Sequence, residues 1–342
     1  MKTMKLLAVG AVIAIAVTAG TASAGTLADV QKKGVVTCGV NGPTGLTGFG
    51  IPDDQGNWRG LDVDLCRAVA ATVFGDATKV KFVPLGSKER FTALQSGEID
   101  VLARNSTWTF SRDTDLGLDF VAVNYYDGQG FMVRKELGVN SALKLSGATI
   151  CVQTGTTTEK NLADYFRTNN LELKTVVFEN ADQSRSAYDE GRCDAYTTDA
   201  SGLASERTQL KNPSDNIILP EIISKEPLGP VVRHGDNNWA DIVRWSFFAM
   251  LIAEEKGVTQ ANVDDIKGSS QDPEVRRLLG AEDDMGKMMG VSKDWSYNII
   301  KQVGNYGESF ERNVGLKTKL GLARGLNELW SKGGLQYAPP LR

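Results

Sequence analysis

Gly60-Leu61-Asp62-Val63-Asp64-Leu65, continued by Cys66-Arg67-Ala68-Val69-Ala70-Ala71-Thr72-Val73, is the stretch on which the reading of this chain turns. A glycine, two acids alternating with apolar residues and then an apolar run predict a helix that starts at the glycine. Both acids fall in its first turn, where carboxylates favour the helix dipole, so Asp62 and Asp64 are read as structural. A strand-like segment, Val35-Val36-Thr37-Cys38-Gly39-Val40, lies upstream. Downstream, Val80-Lys81-Phe82-Val83-Pro84-Leu85 reads as a strand and 87–96 as a helix with Ser87 as N-cap. Gly97 stops that helix, and Asp100-Val101-Leu102-Ala103 reads as the next strand. This strand–helix–strand rhythm predicts a parallel sheet with helices on its faces.

The rhythm returns later in the chain. Val176-Val177-Phe178 reads as a strand, 183–190 as a helix, Gly191 as its stop and Asp194-Ala195-Tyr196 as another strand. Gly97 with Asp100 and Gly191 with Asp194 share a Gly-x-x-Asp junction at an offset of 94 residues. The same offset sets Asn105 opposite Asp199, each just beyond the C-terminal end of a strand. Ligands of open α/β sheets bind at that edge. Two similar lobes offering equivalent loops to one cleft are therefore expected.

The chain has 342 residues, a formal net charge of -4, four cysteines and one histidine, His234. Lys2 and Lys5, the apolar run 6–20 and Ala22-Ser23-Ala24 read as a cleavable signal peptide over 1–24, with Gly25 as the mature N-terminus. The apolar run is shorter than the roughly 20 residues of a membrane span. No cysteine follows it, so no lipoprotein anchor is expected. Removal of the two lysines brings the charge to about -6, and no Lys/Arg-rich run points to nucleic acid. A lone histidine argues against a His-based metal site, and no CxxC spacing is present. Four cysteines in an exported chain point to disulfides, for which three pairings exist. Cys38–Cys66 with Cys151–Cys193 is expected, because each pair then stays within one lobe.

The signature at Gly60–Leu65, together with the organisation around it, resembles family 3 of the bacterial extracellular solute-binding proteins, and within it the general polar L-amino-acid binders of ABC importers. The resemblance covers the mature length. It implies an α/β, two-lobed periplasmic-binding-protein fold of type II, with two parallel-rich sheets joined by a two-strand hinge. Lobe one is expected over 25–130 and 231–342, and lobe two over 131–230. The crossings are placed near Phe131-Met132-Val133-Arg134 and Leu228-Gly229-Pro230-Val231. An amphipathic helix is expected over 239–255, an extra helical region on lobe one over 264–314, and a last helix over 322–330.

A free amino acid needs a cationic fork and donors for its carboxylate and an anion for its ammonium. The resemblance gives Arg112 to the carboxylate, a task for which a guanidinium fork suits better than lysine. Thr107 stands five residues before it and Asn105 seven, in Asn105-Ser106-Thr107-Trp108-Thr109-Phe110-Ser111-Arg112. Thr154-Gly155-Thr156-Thr157-Thr158-Glu159 links a strand to a helix, a natural anion site, and Thr156 with Glu159 has capping-box spacing. Thr157 is the family's carboxylate contact there. Asp199 is the implied partner of the ammonium, with a helix N-cap as its plainer reading. Phe49 is the expected aromatic lid; Tyr125, Tyr126 and Trp108 are further aromatic candidates, and Arg104 either faces the cleft or pairs with Glu98 or Asp100.

The reading is a periplasmic substrate-binding component of an ABC importer for L-amino acids, broad towards polar ones. It acts as a monomer without cofactor and closes its lobes on the ligand before meeting a membrane permease. The rival is an exported dehydratase-like enzyme acting on a small carboxylic acid, for which no Ser-His-Asp or Cys-His set can be assembled. A sensor domain is a third class, disfavoured because no later apolar run could anchor it.

Overall fold

The computed structural model describes residues 25–42 and 45–342; the expected signal peptide over 1–24 lies outside the described residues. The strands, in chain order, are β1 (Val36–Asn41), β2 (Ile51–Pro52), β3 (Trp58–Arg59), β4 (Val80–Leu85), β5 (Val101–Leu102), β6 (Leu118–Phe120) and β7 (Tyr125–Asp127). They continue as β8 (Gln129–Arg134), β9 (Thr149–Gln153), β10 (Lys174–Phe178), β11 (Ala195–Asp199), β12 (Asn216–Ile218), β13 (Glu226–Leu228) and β14 (Val231–Arg233). Two five-stranded sheets result, ordered β4-β1-β5-β14-β6 and β10-β9-β11-β8-β12.

The two sheets share one plan. In each, three parallel strands form one side, and the fourth strand runs against its neighbours. The odd strand is the one that has just crossed from the other lobe: β8 in the second sheet, β14 in the first. It enters at the edge where the parallel strands end, as Gln129 beside Asp199 and Val231 beside Leu102 record. A strand entering there can only run backwards, so the sheets are mixed rather than purely parallel. The Gly-x-x-Asp repeat is also physical. Asp100 Oδ2 accepts from Thr37 N (2.6 Å) and Asp194 Oδ2 from Thr149 N (2.8 Å), each tying a strand to the start of its neighbour.

The crossings lie a few residues earlier than expected. β8 already belongs to the second sheet, and β7 pairs antiparallel with β13, Tyr126 opposite Pro227. Tyr125–Asp127 and Glu226–Leu228 are thus the two connecting strands. Their register is locked to the cleft loop by Trp108 N–H donating to Pro227 O (2.8 Å) and Gly229 N–H to Ser106 O (3.0 Å).

The helix Leu61–Phe74 begins at Gly60 as predicted. Gly60 has φ +139°, and a Cβ there would lie 2.1 Å from Phe49 O, so only glycine fits. Cys66 bonds Cys38 on β1, and Cys151 bonds Cys193, both within one lobe. The long helix Asn237–Glu255 packs on Leu61–Phe74. The extra region is helical and sits on lobe one: Trp295, Ile299, Ile300, Tyr306 and Phe310 are buried in the same core as Val63 and Phe247. Asp64 pins it, accepting from Ser309 Oγ (2.6 Å), Arg312 Nη2 (2.6 Å) and Asn313 Nδ2 (2.7 Å). So one signature acid anchors a segment almost 250 residues away in sequence.

Two local expectations fail. The helix of 87–96 spans only Arg90–Gln95, and Ser87 does not cap it; its hydroxyl accepts from Arg104 Nη2 (3.2 Å) instead. The helix expected over 322–330 is absent: a 3-10 turn, Gly325–Asn327, takes its place, with Gly321 before it and its own Gly325 at positive φ, and a second 3-10 turn, Trp330–Lys332, follows. What holds that segment is Asn327, whose side chain pairs with both backbone groups of Tyr126 (2.6 and 3.1 Å), like a one-residue strand against β7.

Candidate functional site

The ends of β1, β5, β9 and β11 open on a cavity of about 230 Å³ between the lobes. Asn105 and Thr107 follow β5, Thr156 and Thr157 follow β9, and Asp199 closes β11; all five line it. An exposed ion pair, Lys88 with Glu179 (2.8 Å), bridges the lobes, each partner next in sequence to a lining residue, Ser87 and Asn180.

Asp199 occupies the N-cap position of the helix Ala200–Arg207 but makes no capping bond. Asp127 takes that task, accepting from the amide and hydroxyl of Ser201. The Asp199 carboxylate is therefore left to the cavity at 6% exposure. Burial first, and then the charges of Asp127 and Glu226, hold its pKa well above the ordinary carboxylate value, while Arg90 and a hydrogen bond from Asn105 act the other way. Asp127 is likewise pushed up, to about 6, chiefly by burial. A cation brought to this end would relieve the strain between the acids.

The opposite wall is cationic. Arg90 and Arg104 line the cavity; both are buried, and neither forms a salt bridge among the described residues. Arg104 donates to Leu85 O (2.8 Å) and Ser87 Oγ, and burial lowers its pKa to about 10. Arg90, 3% exposed, donates from Nη1 to Arg104 O (3.4 Å) and Ser106 Oγ (3.2 Å), while its Nε has no partner. Burial, followed by repulsion from Arg104 and Arg112, pulls its pKa well down. On the other side Asn105 Oδ1 is an unpaired buried acceptor. An unpaired donor and an unpaired acceptor in one small cavity are what a zwitterion would satisfy.

Some expected residues stand elsewhere. Arg112 does not line the cavity: its Nη1 donates to Thr107 O (2.9 Å), and its guanidinium lies over the Phe91 ring at 5.0 Å. Phe49 is 1% exposed in the core of lobe one, edge-on to Tyr125 at 5.2 Å, and so is a packing residue rather than a lid. Tyr125 in turn stacks on Phe310, and Trp108 on Phe120. The walls of the cavity are mainly polar and charged side chains, threonine, asparagine, arginine and acid, and the aromatic among the lining residues is Tyr196 rather than any of those expected. Thr156 does cap the helix Thr157–Thr168, accepting from Glu159 N (3.2 Å), but the Glu159 carboxylate reaches Gly155 N rather than closing the box on Thr156.

Three residues escaped the sequence reading. Asp62, taken as a dipole acid, accepts from Asn105 N (2.8 Å) and Asn124 Nδ2 (2.8 Å), and so fixes the cleft loop where Asn105 adopts φ +27°. Arg90 could have been suspected from its place in the first turn after β4, at the ligand edge of the sheet. Glu226 could have been suspected as a lone acid in Glu226-Pro227-Leu228-Gly229-Pro230, a segment otherwise apolar. Its carboxylate, 1% exposed, accepts from Thr107 Oγ1 (2.6 Å), Thr157 Oγ1 (2.8 Å), Asn161 Nδ2 (2.6 Å) and Ser224 Oγ (2.7 Å).

Two mixed sheets of this order, joined by paired strands with a polar cleft between, define a two-lobed solute-binding protein. The sequence pattern of the bacterial extracellular solute-binding proteins, family 3, matches residues 38–256, and the chain belongs to that family. It is 64% identical over 337 residues to the general L-amino acid-binding periplasmic protein AapJ of Rhizobium johnstonii, covering 98% of each chain. It is 62% identical over 333 residues to the glutamate/glutamine/aspartate/asparagine-binding protein BztA of Rhodobacter capsulatus, covering 97% of this chain and 98% of that one. Among solved structures, a periplasmic binding protein of an ABC transporter from Brucella ovis, with glutathione bound, superposes with a TM-score of 0.91 at 62% identity, over 93% of this chain and all of the other. The family match stops at Lys256, whereas these three relatives run on through the extra helices.

Proposed function

We propose that this chain is the periplasmic receptor of an ABC importer for L-amino acids, with breadth towards polar ones, and that it hands its cargo to a membrane permease as a monomer. The observation that carries the reading is the uncapped, buried Asp199 carboxylate at one end of a cavity whose other wall is Arg90 and Arg104. Such a cavity orients a zwitterion, ammonium towards Asp199 and the Asn105 amide oxygen, carboxylate towards guanidinium. Arg90, Arg104 and Asn105 come from lobe one and Asp199 from lobe two, with Thr107, Thr156 and Thr157 lining the same cavity from either side, so a ligand held by both lobes favours the closed form, and only by its difference in affinity for the two forms. Arg112 serves from behind, steadying Thr107 through its carbonyl. Export is by a signal peptide cut after Ala24, in keeping with the periplasmic binding proteins of Rhizobium johnstonii and Brucella ovis named above.

The arginines of the cavity are held by backbone carbonyls and serine hydroxyls, and the Asp199 carboxylate stands ready for a cation, so we read the protein as a binder rather than an enzyme. A thermal-shift screen with the twenty L-amino acids and their D-enantiomers tests the reading. Stabilisation by polar L-forms, with calorimetric 1:1 uptake and unchanged ligand recovered afterwards, is expected; equal stabilisation by D-forms, or turnover, would count against it. Glutathione belongs in the same screen, because the Brucella ovis relative carries it. Its γ-glutamyl end presents the same ammonium and carboxylate as a free amino acid.

A further inference from the structure

We propose that Glu226 is an internal surrogate for a ligand carboxylate: it occupies the hydroxyl and amide donors at the junction of the lobes, and it leaves Arg90 as the guanidinium that meets the ligand's own carboxylate. The proposal deepens the amino-acid reading above and rests on it for the second half only. Thr157 is the hydroxyl that the family resemblance assigns to an amino-acid carboxylate, and Thr107 belongs to the motif that carries Arg112. Here both donate to one oxygen of Glu226, at 2.6 and 2.8 Å, while its other oxygen accepts from Asn161 and Ser224 at 2.6 and 2.7 Å. Four donors saturate a carboxylate. Thr107 belongs to lobe one, Thr157 and Asn161 to lobe two, and Glu226 itself to the connecting strand β13. The carboxylate therefore ties the lobes together across the junction, where a bridging ligand would do the same.

The cationic side agrees. Arg112 does not line the cavity: it feels the Glu226 charge, donates to Thr107 O and shares the Phe91 ring with Arg90, the two guanidiniums at 5.0 and 4.8 Å from its centre. Arg90 lines the cavity, lacks a salt bridge among the described residues and keeps Nε without a partner in a buried place. A guanidinium left with an open N–H next to a cavity is a fork for a carboxylate. The distance from this fork to the acidic end is spanned by the same cavity, which Asp199 and Asn105 also line. Thus the ligand lies between Arg90 and Asp199, beside Glu226 rather than in its place.

The test has two arms. In the first, no amino acid is present: small-angle scattering and thermal unfolding are measured for the wild type, Glu226→Ala and Glu226→Gln, with and without sodium acetate against a sodium chloride control. Glu226→Ala is expected to give a more open particle and a lower midpoint, and acetate, which supplies the missing carboxylate, to restore both. Acetate should leave the wild type and Glu226→Gln unchanged. A Glu226→Ala protein as closed as wild type, or one that acetate does not restore, overturns the surrogate role. Should Glu226→Ala fail to fold, Glu226→Gln decides: its amide puts donors against donors, so it is expected to open, and a closed form like wild type refutes the proposal.

In the second arm, calorimetry with L-glutamate and L-glutamine compares Arg90→Lys with Arg112→Lys. Loss of a charge-assisted hydrogen bond predicts a weakening of roughly 10- to 150-fold for Arg90→Lys, and at least several times the effect of Arg112→Lys. The reverse order, or tighter binding by Glu226→Ala than by wild type, shows that the ligand uses the Glu226 donors and overturns the inference while the amino-acid reading stands. If the wild type takes up neither amino acid, the functional reading fails and the Arg90 assignment with it, while the acetate arm still decides the role of Glu226.

Discussion

Asp199→Asn should move affinity and stability in opposite directions. The change keeps the volume and a polar group beside Asn105 but removes the charge that faces the ligand's ammonium. Stripping one member from a buried charge pair costs about 3–5 kcal/mol, which at ~1.36 kcal/mol per tenfold is roughly 150- to 4,000-fold in Kd. Stability goes the other way. Burial and the nearby carboxylates of Asp127 and Glu226 raise the Asp199 pKa in the folded, unliganded protein. A raised carboxylate pKa means that the folded state binds more protons than the unfolded chain once pH exceeds the ordinary value of 3.8. Its contribution therefore falls as pH climbs, and at neutral pH the group is a net penalty. Asparagine removes that penalty, and each kcal/mol recovered moves the midpoint by about 1.5 °C in a chain of this length, at ~2.1 cal/mol/K of unfolding entropy per residue. Calorimetric titration with L-glutamate and L-glutamine gives the first quantity, and scanning calorimetry without ligand gives the second. A Kd within about threefold of wild type, well under 1 kcal/mol, would refute the assignment of the ammonium pole. So would a lowered unliganded midpoint, because that is what a merely structural carboxylate would produce.

The same acids make ligand binding pH-dependent. With Asp199 and Asp127 both raised by burial, an arriving ammonium displaces protons, so affinity should grow as pH rises through about 6, and the titration heat should vary with the buffer's ionisation enthalpy; a buffer-independent heat contradicts this. Asp64→Ala removes the acceptor shared by Ser309, Arg312 and Asn313 and should lower unfolding free energy by about 1.5–3 kcal/mol in urea, the range for hydrogen bonds to a charged group, because the Arg312 left behind is 41% exposed, with ligand affinity largely kept because the anchor lies outside the cavity. Replacing Cys151 and Cys193 with serine frees a loop closed over 42 residues, and about 4 kcal/mol should be lost on the chain-entropy relation. A native free-thiol titration of the unaltered protein should find none, given the two bridges.

The features that sequence revealed were those with a local backbone cause. The glycine at Gly60 is required by contact with Phe49 O, and the Gly-x-x-Asp pairs mark strand starts that Asp100 and Asp194 tie to Thr37 and Thr149. From the repeat followed the two lobes and the loops at Asn105 and Asp199, while Thr157 came from the family resemblance. What escaped depends on neighbours far away in the chain. Phe49 carries the pattern of a loop aromatic, yet Tyr125, delivered by a strand 76 residues on, draws it into the core. The segment 322–330 has helical composition, but Asn327 binds Tyr126 better than a helix would. Glu226 and Arg90 gain their meaning only when the lobes meet, and no window of sequence contains both sides of that meeting.

The signature acids join these levels. Asp62 receives the Asn105 amide and fixes the loop that carries the cleft's lobe-one donors; Asp64, two residues on, receives the helix Tyr306–Asn313. Tyr306 in that helix donates its hydroxyl to Asn124 O (2.9 Å), and the Asn124 side chain returns to Asp62 at 2.8 Å. The extra helices are thereby wired to the cleft loop through one turn of the helix Leu61–Phe74. Closing the lobes leaves this circuit intact, because every member belongs to lobe one. The moving contacts are instead those of Thr157, Asn161 and Asp199 from lobe two. One lobe thus holds the arginines through its own loops, and the other presents the acid across the cavity.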